Sequence, residues 1–198
     1  MTATYTLEQI RPLVEHANFL PQIERGFVLY SEGKAVVPPV GELVFRDPPG
    51  DVHIKYGYLK GDQRYLIKVA SGFYHNSRLG LNPTPGLMLV ASQRTGEIEA
   101  ILLEEGYLTN LRTAVAGAVA AKYLAPRQLR RIAIFGTGVQ ARLQLEQLRH
   151  VTPCRDVIVW GRRQQALDEY QATMSARGYR VTTTFYMEIG RASCRERV

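Results

Sequence analysis

The sequence has few of the residues that build metal centres or disulfide frameworks. It contains two cysteines, Cys154 and Cys194, and four histidines scattered over 198 residues. Neither residue type falls in a metal-ligand spacing, and two distant cysteines make no disulfide framework. We therefore expect no metal cofactor, and a reducing cytoplasm is the expected compartment.

Long apolar runs are also missing. No stretch approaches the roughly 20 residues that span a bilayer, and the N-terminus lacks the basic-then-apolar pattern of a signal peptide. Hydrophobic residues make up 45% and charged residues 22% of the chain, as in an ordinary globular protein. The sequence thus predicts a chain without a membrane partner, folded as one domain or two small ones.

Acidic residues are outnumbered by basic ones, 18 against 25, which gives a net charge of +7. The basic residues cluster only mildly, at positions 127–131 and at Arg162 and Arg163, without interleaved aromatic residues. No nucleic-acid-binding motif is visible. A charged surface together with an anionic small-molecule cofactor explains the excess better than nucleic acid does.

The strongest positive signal lies at residues 131–141. Four apolar residues run into Gly136-x-Gly138-x-x-Ala141, and an amphipathic stretch follows, which predicts a strand, a tight turn and a helix. Gly136 permits the turn, Gly138 leaves room for a pyrophosphate, and Ala141 allows close packing of helix on strand. A second strand at 156–160 has the spacing of a βαβ unit. We interpret the motif as a dinucleotide-binding turn; a glycine turn without a ligand is the alternative.

Periodicity separates the rest of the chain into an earlier and a later region. Thr6 has capping-box spacing to Gln9, with Pro12 limiting that helix to about one turn, and Thr109 is placed to cap a helix from about Asn110 to Leu124. Other helices are predicted at 20–32 and 164–176, and strands at 52–58, 65–70, 87–92, 98–103 and 180–184. We therefore predict an α/β protein, with an α+β domain and a mainly antiparallel sheet over residues 1–125. The first half of a Rossmann doubly wound sheet follows over residues 126–187.

Two cations occupy unusual positions. Lys68 shares a strand face with Leu66 and Ala70, so its ammonium either faces the core and needs an anionic partner or reaches water from the sheet. Arg112 falls in the first turn of the helix capped by Thr109, where the helix dipole disfavours a cation unless an anion lies between them. Its guanidinium suits a carboxylate or a phosphate, although a plain surface arginine is an equal alternative.

These motifs occur together in one order: Lys68-Val69-Ala70, then Leu108-Thr109 with Arg112-Thr113-Ala114, then Gly136-x-Gly138-x-Gln140-Ala141. Over residues 33–184 the chain thereby resembles the ornithine cyclodeaminase/mu-crystallin family. The resemblance implies a homodimer built through the N-terminal, substrate-binding domain, and nicotinamide-dependent chemistry at the α-carbon of an amino or imino acid.

The resemblance also assigns candidate site residues. Lys68 and Arg112 match positions at the substrate carboxylate, with Arg112 also near the cofactor, while Gly138, Val139 and Gln140 match the phosphate turn after Gly136. The complete protein is then an NAD(P)-dependent oxidoreductase or cyclodeaminase of amino acid metabolism. An NADP(H)-binding, crystallin-like protein without turnover is the alternative.

The sequence departs from the family in two places. The family often has a further carboxylate-binding arginine two residues after a proline, where this chain reads Pro39-Val40-Gly41, and Arg46 is a weak substitute. The catalytic aspartate of the cyclodeaminases matches no position here, since it belongs to the second half of the dinucleotide domain. Asp168, on a predicted surface helix, is no candidate, so the catalytic residue is unknown.

Residues 188–198 show neither strand alternation nor a useful helix, and they resemble the in-frame translation of a common sequencing adaptor. We expect a non-native tail after a truncated Rossmann domain. An incomplete sheet leaves apolar edges open, so the chain as written should be inactive.

The end of the second strand of the dinucleotide unit bears on cofactor choice. A strand that favours NAD usually ends in Asp or Glu, whereas this one ends Trp160-Gly161-Arg162-Arg163. A 2′-phosphate can lie against Arg162 or Arg163 where no carboxylate repels it; two solvated arginines opening the next helix are the alternative. The sequence therefore predicts NADP(H) in preference to NAD(H).

Overall fold

The computed structural model describes residues 1–15 and 17–186, so the predicted tail at 188–198 lies outside the described residues. The chain divides into two compact units, with the second beginning at Thr113. The sequence predicts a domain boundary between residues 125 and 126, after the helix predicted from about Asn110 to Leu124. The structural division between Arg112 and Thr113 falls inside that helix. How substrate and cofactor binding divide between domains stays a prediction.

The described residues of the first unit form a seven-stranded sheet, hereafter the large sheet. Its strands run in the order β1-β7-β6-β5-β4-β2, with β3 also paired to β4. The strands are β1 (Ala3–Thr6), β2 (Ala35–Val36), β3 (Gly41–Arg46), β4 (Pro49–Leu59), β5 (Arg64–Gly72), β6 (Gly86–Ser92) and β7 (Ile98–Leu103). β1 lies parallel to β7, and the other pairs are antiparallel. The predicted antiparallel sheet is thus confirmed, although β1 to β3 were not foreseen.

Two helices and a 3₁₀ turn at Tyr74–Leu79 accompany the large sheet. In α1 (Leu7–Val14) the Thr6 amide donates to Gln9 Oε1 at 2.9 Å, as the capping-box spacing predicts. The predicted limit of one turn is wrong, because α1 continues past Pro12 for two more residues. A proline removes one backbone hydrogen bond, and this amphipathic helix absorbs that loss while it buries Ile10. α2 (Leu20–Ser31) lies where predicted.

The helix α3 (Tyr107–Leu124) begins three residues before the predicted start at Asn110. Gly106, with φ +81°, turns the chain sharply after β7, and a Cβ there would overlap the Thr84 carbonyl. The early turn puts the first amides of the helix beside Glu104, whose Oε2 accepts hydrogen bonds from Leu108 N at 2.6 Å and Thr109 N at 3.3 Å. The predicted capping role of Thr109 is therefore wrong, and the Glu104 carboxylate fills it.

The described residues of the second unit form a three-stranded parallel sheet in the order β10-β9-β8. Its elements are β8 (Ile132–Phe135), α4 (Val139–Leu148), β9 (Asp156–Trp160), α5 (Gln164–Ala176) and β10 (Arg180–Thr184). The helices and strands enclose one apolar core that includes the fully buried Leu145, Val159, Leu167 and Met174. This strand order is that of the first half of a doubly wound sheet, as predicted. In the described part of the chain, no helix is both long and apolar enough to cross a bilayer.

Candidate functional site

Lys68 lies in the middle of β5, opposite Lys55 on β4 and Met88 on β6. Its side chain is half-buried, between the two alternatives that the sequence left open. Burial lowers the pKa of Lys68 to about 8; the cations of Arg112 and Lys55 lower it further, and the Glu104 carboxylate opposes them. Lys68 is therefore a partly desolvated cation, with two further cations and one carboxylate close enough to influence its pKa.

Arg112 is the sixth residue of α3, so its predicted place in the first turn is wrong. The helix-dipole penalty falls off within one turn, and the unfavourable dipole argued from sequence therefore does not apply. The residue is exposed, yet its charge lowers the pKa of Lys68, which places the two cations within electrostatic range. The structure thus brings together the two predicted carboxylate ligands.

Lys55, Lys68 and Arg112 form what we call the cationic cluster. Each pair of like charges raises the free energy of the protein without a ligand, and a bound anion relieves that repulsion. A carboxylate suits the planar guanidinium of Arg112 and the point charge of Lys68. Lys55 was missed in the sequence because its alignment with Lys68 depends on the β4–β5 register.

Glu104 is the second residue that sequence reasoning missed. It directly follows β7 and is fully buried, although two adjacent glutamates before a glycine suggest a solvated turn. An acidic residue just before a helical stretch is a helix-start signal, and that signal could have found it. Its carboxylate is the negative charge that counters the cations around Lys68.

The glycine turn has the geometry that a phosphate site needs. Gly136 has φ +101°, a conformation that L side chains rarely adopt, and its amide donates to the Trp160 carbonyl at 2.8 Å. A Cβ at Gly138 would meet no atom within 4 Å, so the space beside the first turn of α4 is open. The exposed Val139 and the half-buried Gln140 begin that helix. Its free amides and dipole favour an anion there.

The end of β9 lies beside this turn. Gly161 is buried, and a Cβ on it would lie 2.8 Å from Leu167 Cδ2 and 3.2 Å from Thr137 Cγ2. Arg162 and Arg163, both exposed, follow it and lead into α5. Because β8 and β9 are parallel neighbours, the glycine turn and the arginine pair share the carboxyl edge of the sheet, where such folds bind nucleotides.

Other sequence candidates lie elsewhere. Arg46 pairs with Pro49 at the tip of the β3–β4 hairpin, and Lys55 lies six positions after Pro49 on β4. That is about 20 Å along an extended strand, so Arg46 does not join the cationic cluster. Asp168 is exposed on α5 and accepts a hydrogen bond from Gln164 Nε2 at 2.6 Å. Among residues 1–15 and 17–186, no group of three or more His, Cys, Asp or Glu side chains is placed to hold a metal ion.

Several solved structures share the fold of this chain, among them two with a bound nicotinamide cofactor. An archaeal alanine dehydrogenase dimer with bound NAD has a TM-score of 0.85 at 30% identity, over 92% of this chain and 56% of that chain. The Δ1-pyrroline-2-carboxylate reductase of Thermococcus litoralis, in complex with NADH and L-proline, has a TM-score of 0.86 at 26% identity, over 92% and 57%. These likenesses confirm the predicted α/β class.

Sequence comparison gives the family. An uncharacterized cyclodeaminase of Sinorhizobium fredii is 45% identical over 128 residues, which are 65% of this chain and 39% of that protein. The chain thus spans between about two fifths and three fifths of the length of these relatives. The sequence model of the ornithine cyclodeaminase/mu-crystallin family matches residues 2–188. Because that match covers most of the chain, the protein belongs to the ornithine cyclodeaminase/mu-crystallin family, as its motifs predict.

Proposed function

We propose that the complete protein is an NAD(P)-dependent oxidoreductase or cyclodeaminase acting at the α-carbon of an amino or imino acid. The observation that carries this proposal is the cationic cluster around the half-buried Lys68, in a chain that also has a dinucleotide-type turn. The names of the relatives support it, since they comprise an alanine dehydrogenase, an imino acid reductase and a cyclodeaminase.

In this proposal each region of the chain binds one part of the reactants. The nicotinamide cofactor supplies or accepts a hydride when bound. Lys68 and Arg112 bind the substrate carboxylate and fix the orientation of its α-carbon. The turn from Gly136 to Gln140 holds the pyrophosphate with backbone amides, and the open space at Gly138 fits that group. Orientation of two bound reactants is the main catalytic contribution of these residues.

The test is a steady-state assay of the complete protein with a panel of amino and imino acids and both nicotinamide cofactors. We expect turnover with at least one α-amino or α-imino acid, and competitive inhibition by carboxylates that lack the amine. Tight cofactor binding without turnover of any panel member would instead support the crystallin-like alternative. Absence of cofactor binding would overturn both.

We further propose that NADP(H) is preferred over NAD(H). Support comes from Gly161, which holds the position after β9 where a ribose-binding carboxylate would stand. Its lack of room beside Leu167 disfavours such a side chain. The exposed Arg162 and Arg163 supply positive charge for a 2′-phosphate. Titration of the complete protein with each reduced cofactor tests this, and equal or tighter binding of NADH would refute it.

We also propose that the protein forms a homodimer through the first unit. Apolar side chains stand exposed on β3 and α2, among them Val44, which is 69% exposed, and Phe27. Exposed large apolar side chains are candidates for an interaction surface, and the related archaeal alanine dehydrogenase is a dimer. Sedimentation velocity should give a dimer that Val44→Glu weakens, and a concentration-independent monomer would contradict the proposal.

A further inference from the structure

The Glu104 carboxylate is satisfied on one oxygen only. Its Oε2 accepts both amide hydrogen bonds at the start of α3, from Leu108 and Thr109. Its Oε1 is buried and has no hydrogen-bond partner among the described residues. A buried carboxylate oxygen normally has a donor, so this oxygen faces a place where one belongs.

The surroundings of Oε1 locate that place. A Cβ on Gly86 would lie 2.9 Å from Oε1, so this oxygen lies over the sheet face to which a side chain at position 86 would point. Gly86 is paired with Ala70, and Met88 with Lys68. Lys68 and Gly86 are therefore diagonal neighbours on one face of β5 and β6. Oε1 and the side chain of Lys68 thus share a face of the large sheet.

We propose that Glu104 is a positioning residue for Lys68, with Oε2 anchored on the α3 amides and Oε1 open to accept a hydrogen bond from the Lys68 ammonium when that side chain turns toward it. The proposal rests on the proposed function only where Lys68 is assigned to the substrate carboxylate. The glycine at position 86 leaves the room in which this contact forms, since a larger residue would displace Oε1.

The charges around Lys68 explain why it needs this partner. Lys55 faces it from β4 and Arg112 from α3, both cations, while Met88 on β6 is uncharged. Burial and both cations favour the neutral amine, and Glu104 favours the ammonium. The carboxylate thus keeps Lys68 charged, whereas the cluster as a whole stays positive and can attract an anionic substrate.

The experiment measures the pKa of the Lys68 amine in the full 198-residue chain, by competitive labelling with acetic anhydride across pH and peptide mass spectrometry. Glu104→Gln should lower the pKa of Lys68 by about 1, because the opposing negative charge is gone. Glu105→Gln, a matched change at the exposed neighbour, should leave it unchanged. An unchanged Lys68 pKa in folded Glu104→Gln protein would overturn the proposal.

Gly86→Ala provides a second arm if Glu104→Gln does not fold. The added Cβ should displace Oε1 and lower the Lys68 pKa, while Gly26→Ala, where a Cβ meets nothing within 4 Å, should not. Equal Lys68 pKa values in both alanine variants would refute the contact. Neither arm uses substrate or turnover, so its failure is distinct from a failure of the proposed enzymatic function.

Discussion

In our proposals the second unit binds an anion with backbone amides, whereas the first unit binds one with charged side chains. The glycine turn of the second unit offers backbone amides and a helix terminus, and its shape depends on Gly136 at φ +101°. The cationic cluster of the first unit offers side chains, and the charge of one of them, Lys68, depends on pH because its pKa lies at about 8. Anion binding by backbone amides depends on backbone conformation and does not change with pH. Anion binding by Lys68 tolerates small backbone changes, but it depends on the protonation of the amine. This contrast can be tested at each unit.

Removing one cationic ligand should have the largest effect. In the complete protein, Arg112→Lys loses the planar fork and Lys68→Met loses the ammonium, so substrate binding should weaken by on the order of 1.5–3 kcal/mol. That is a roughly 10- to 150-fold rise in KM for the substrate, measured by steady-state kinetics. Unchanged KM and kcat in both variants would make these residues ordinary surface cations. Arg94→Ala, at an exposed turn of the same unit, serves as the control.

Two alanine variants at the glycine turn should distinguish the role of its backbone conformation from the role of the open space where the cofactor binds. Gly136→Ala forces an L residue to φ +101° and should lower the free energy of unfolding by about 1–3 kcal/mol, measured by urea denaturation. Gly138→Ala has ordinary φ −77° and an open space for its Cβ, so stability should hardly change. Both variants should bind cofactor more weakly. Equal stabilities of the two would show that the turn is not shaped by its positive φ.

The sequence predicted the residues of the glycine turn more completely than those around Lys68. The turn at Gly136 and its helix are contiguous, and the strands and helices from residue 132 onward lie where periodicity predicts them. Lys68 could be found because a charge interrupts an apolar strand. The placement of Lys55 and Glu104 near Lys68 could not be predicted, since it arises from the pairing of β4 with β5 and from the early start of α3. Local chemistry was visible, whereas contacts between distant strands depended on register.

The missed strands follow the same rule. β1 and β2 have four and two residues, too short for alternation to be recognised, and β3 is exposed along its whole length. Hydrophobic periodicity reports only faces that are buried consistently. Nothing in the described residues bears on positions 188–198.

Cofactor discrimination should show a smaller effect. The double variant Arg162→Ala with Arg163→Ala should weaken NADPH binding about tenfold relative to NADH, because exposed charge-assisted contacts are partly screened. Fluorescence titration of the complete protein at two salt concentrations measures the ratio, and higher salt should reduce the difference. If the ratio is the same in the variant and the parent, the two arginines are solvated surface residues.

The smallest expected effect is on stability against pH, and its sign follows from Lys68. Its pKa falls from an unfolded 10.5 to about 8 on folding, chiefly through burial, so between these values the unfolded chain holds more protons. Stability should therefore rise with pH across about 8 to 10.5, and below 8 the penalty of the buried ammonium is fully present. Because Lys68 is only half-buried, solvent screening should leave about 1 kcal/mol of this rise.

Urea denaturation of the parent chain and of Lys68→Met at several pH values measures this rise in the free energy of unfolding. Lys68→Met should lack the rise and should be more stable than the parent near pH 7, and a rise of the same size in both proteins would place its origin in other groups.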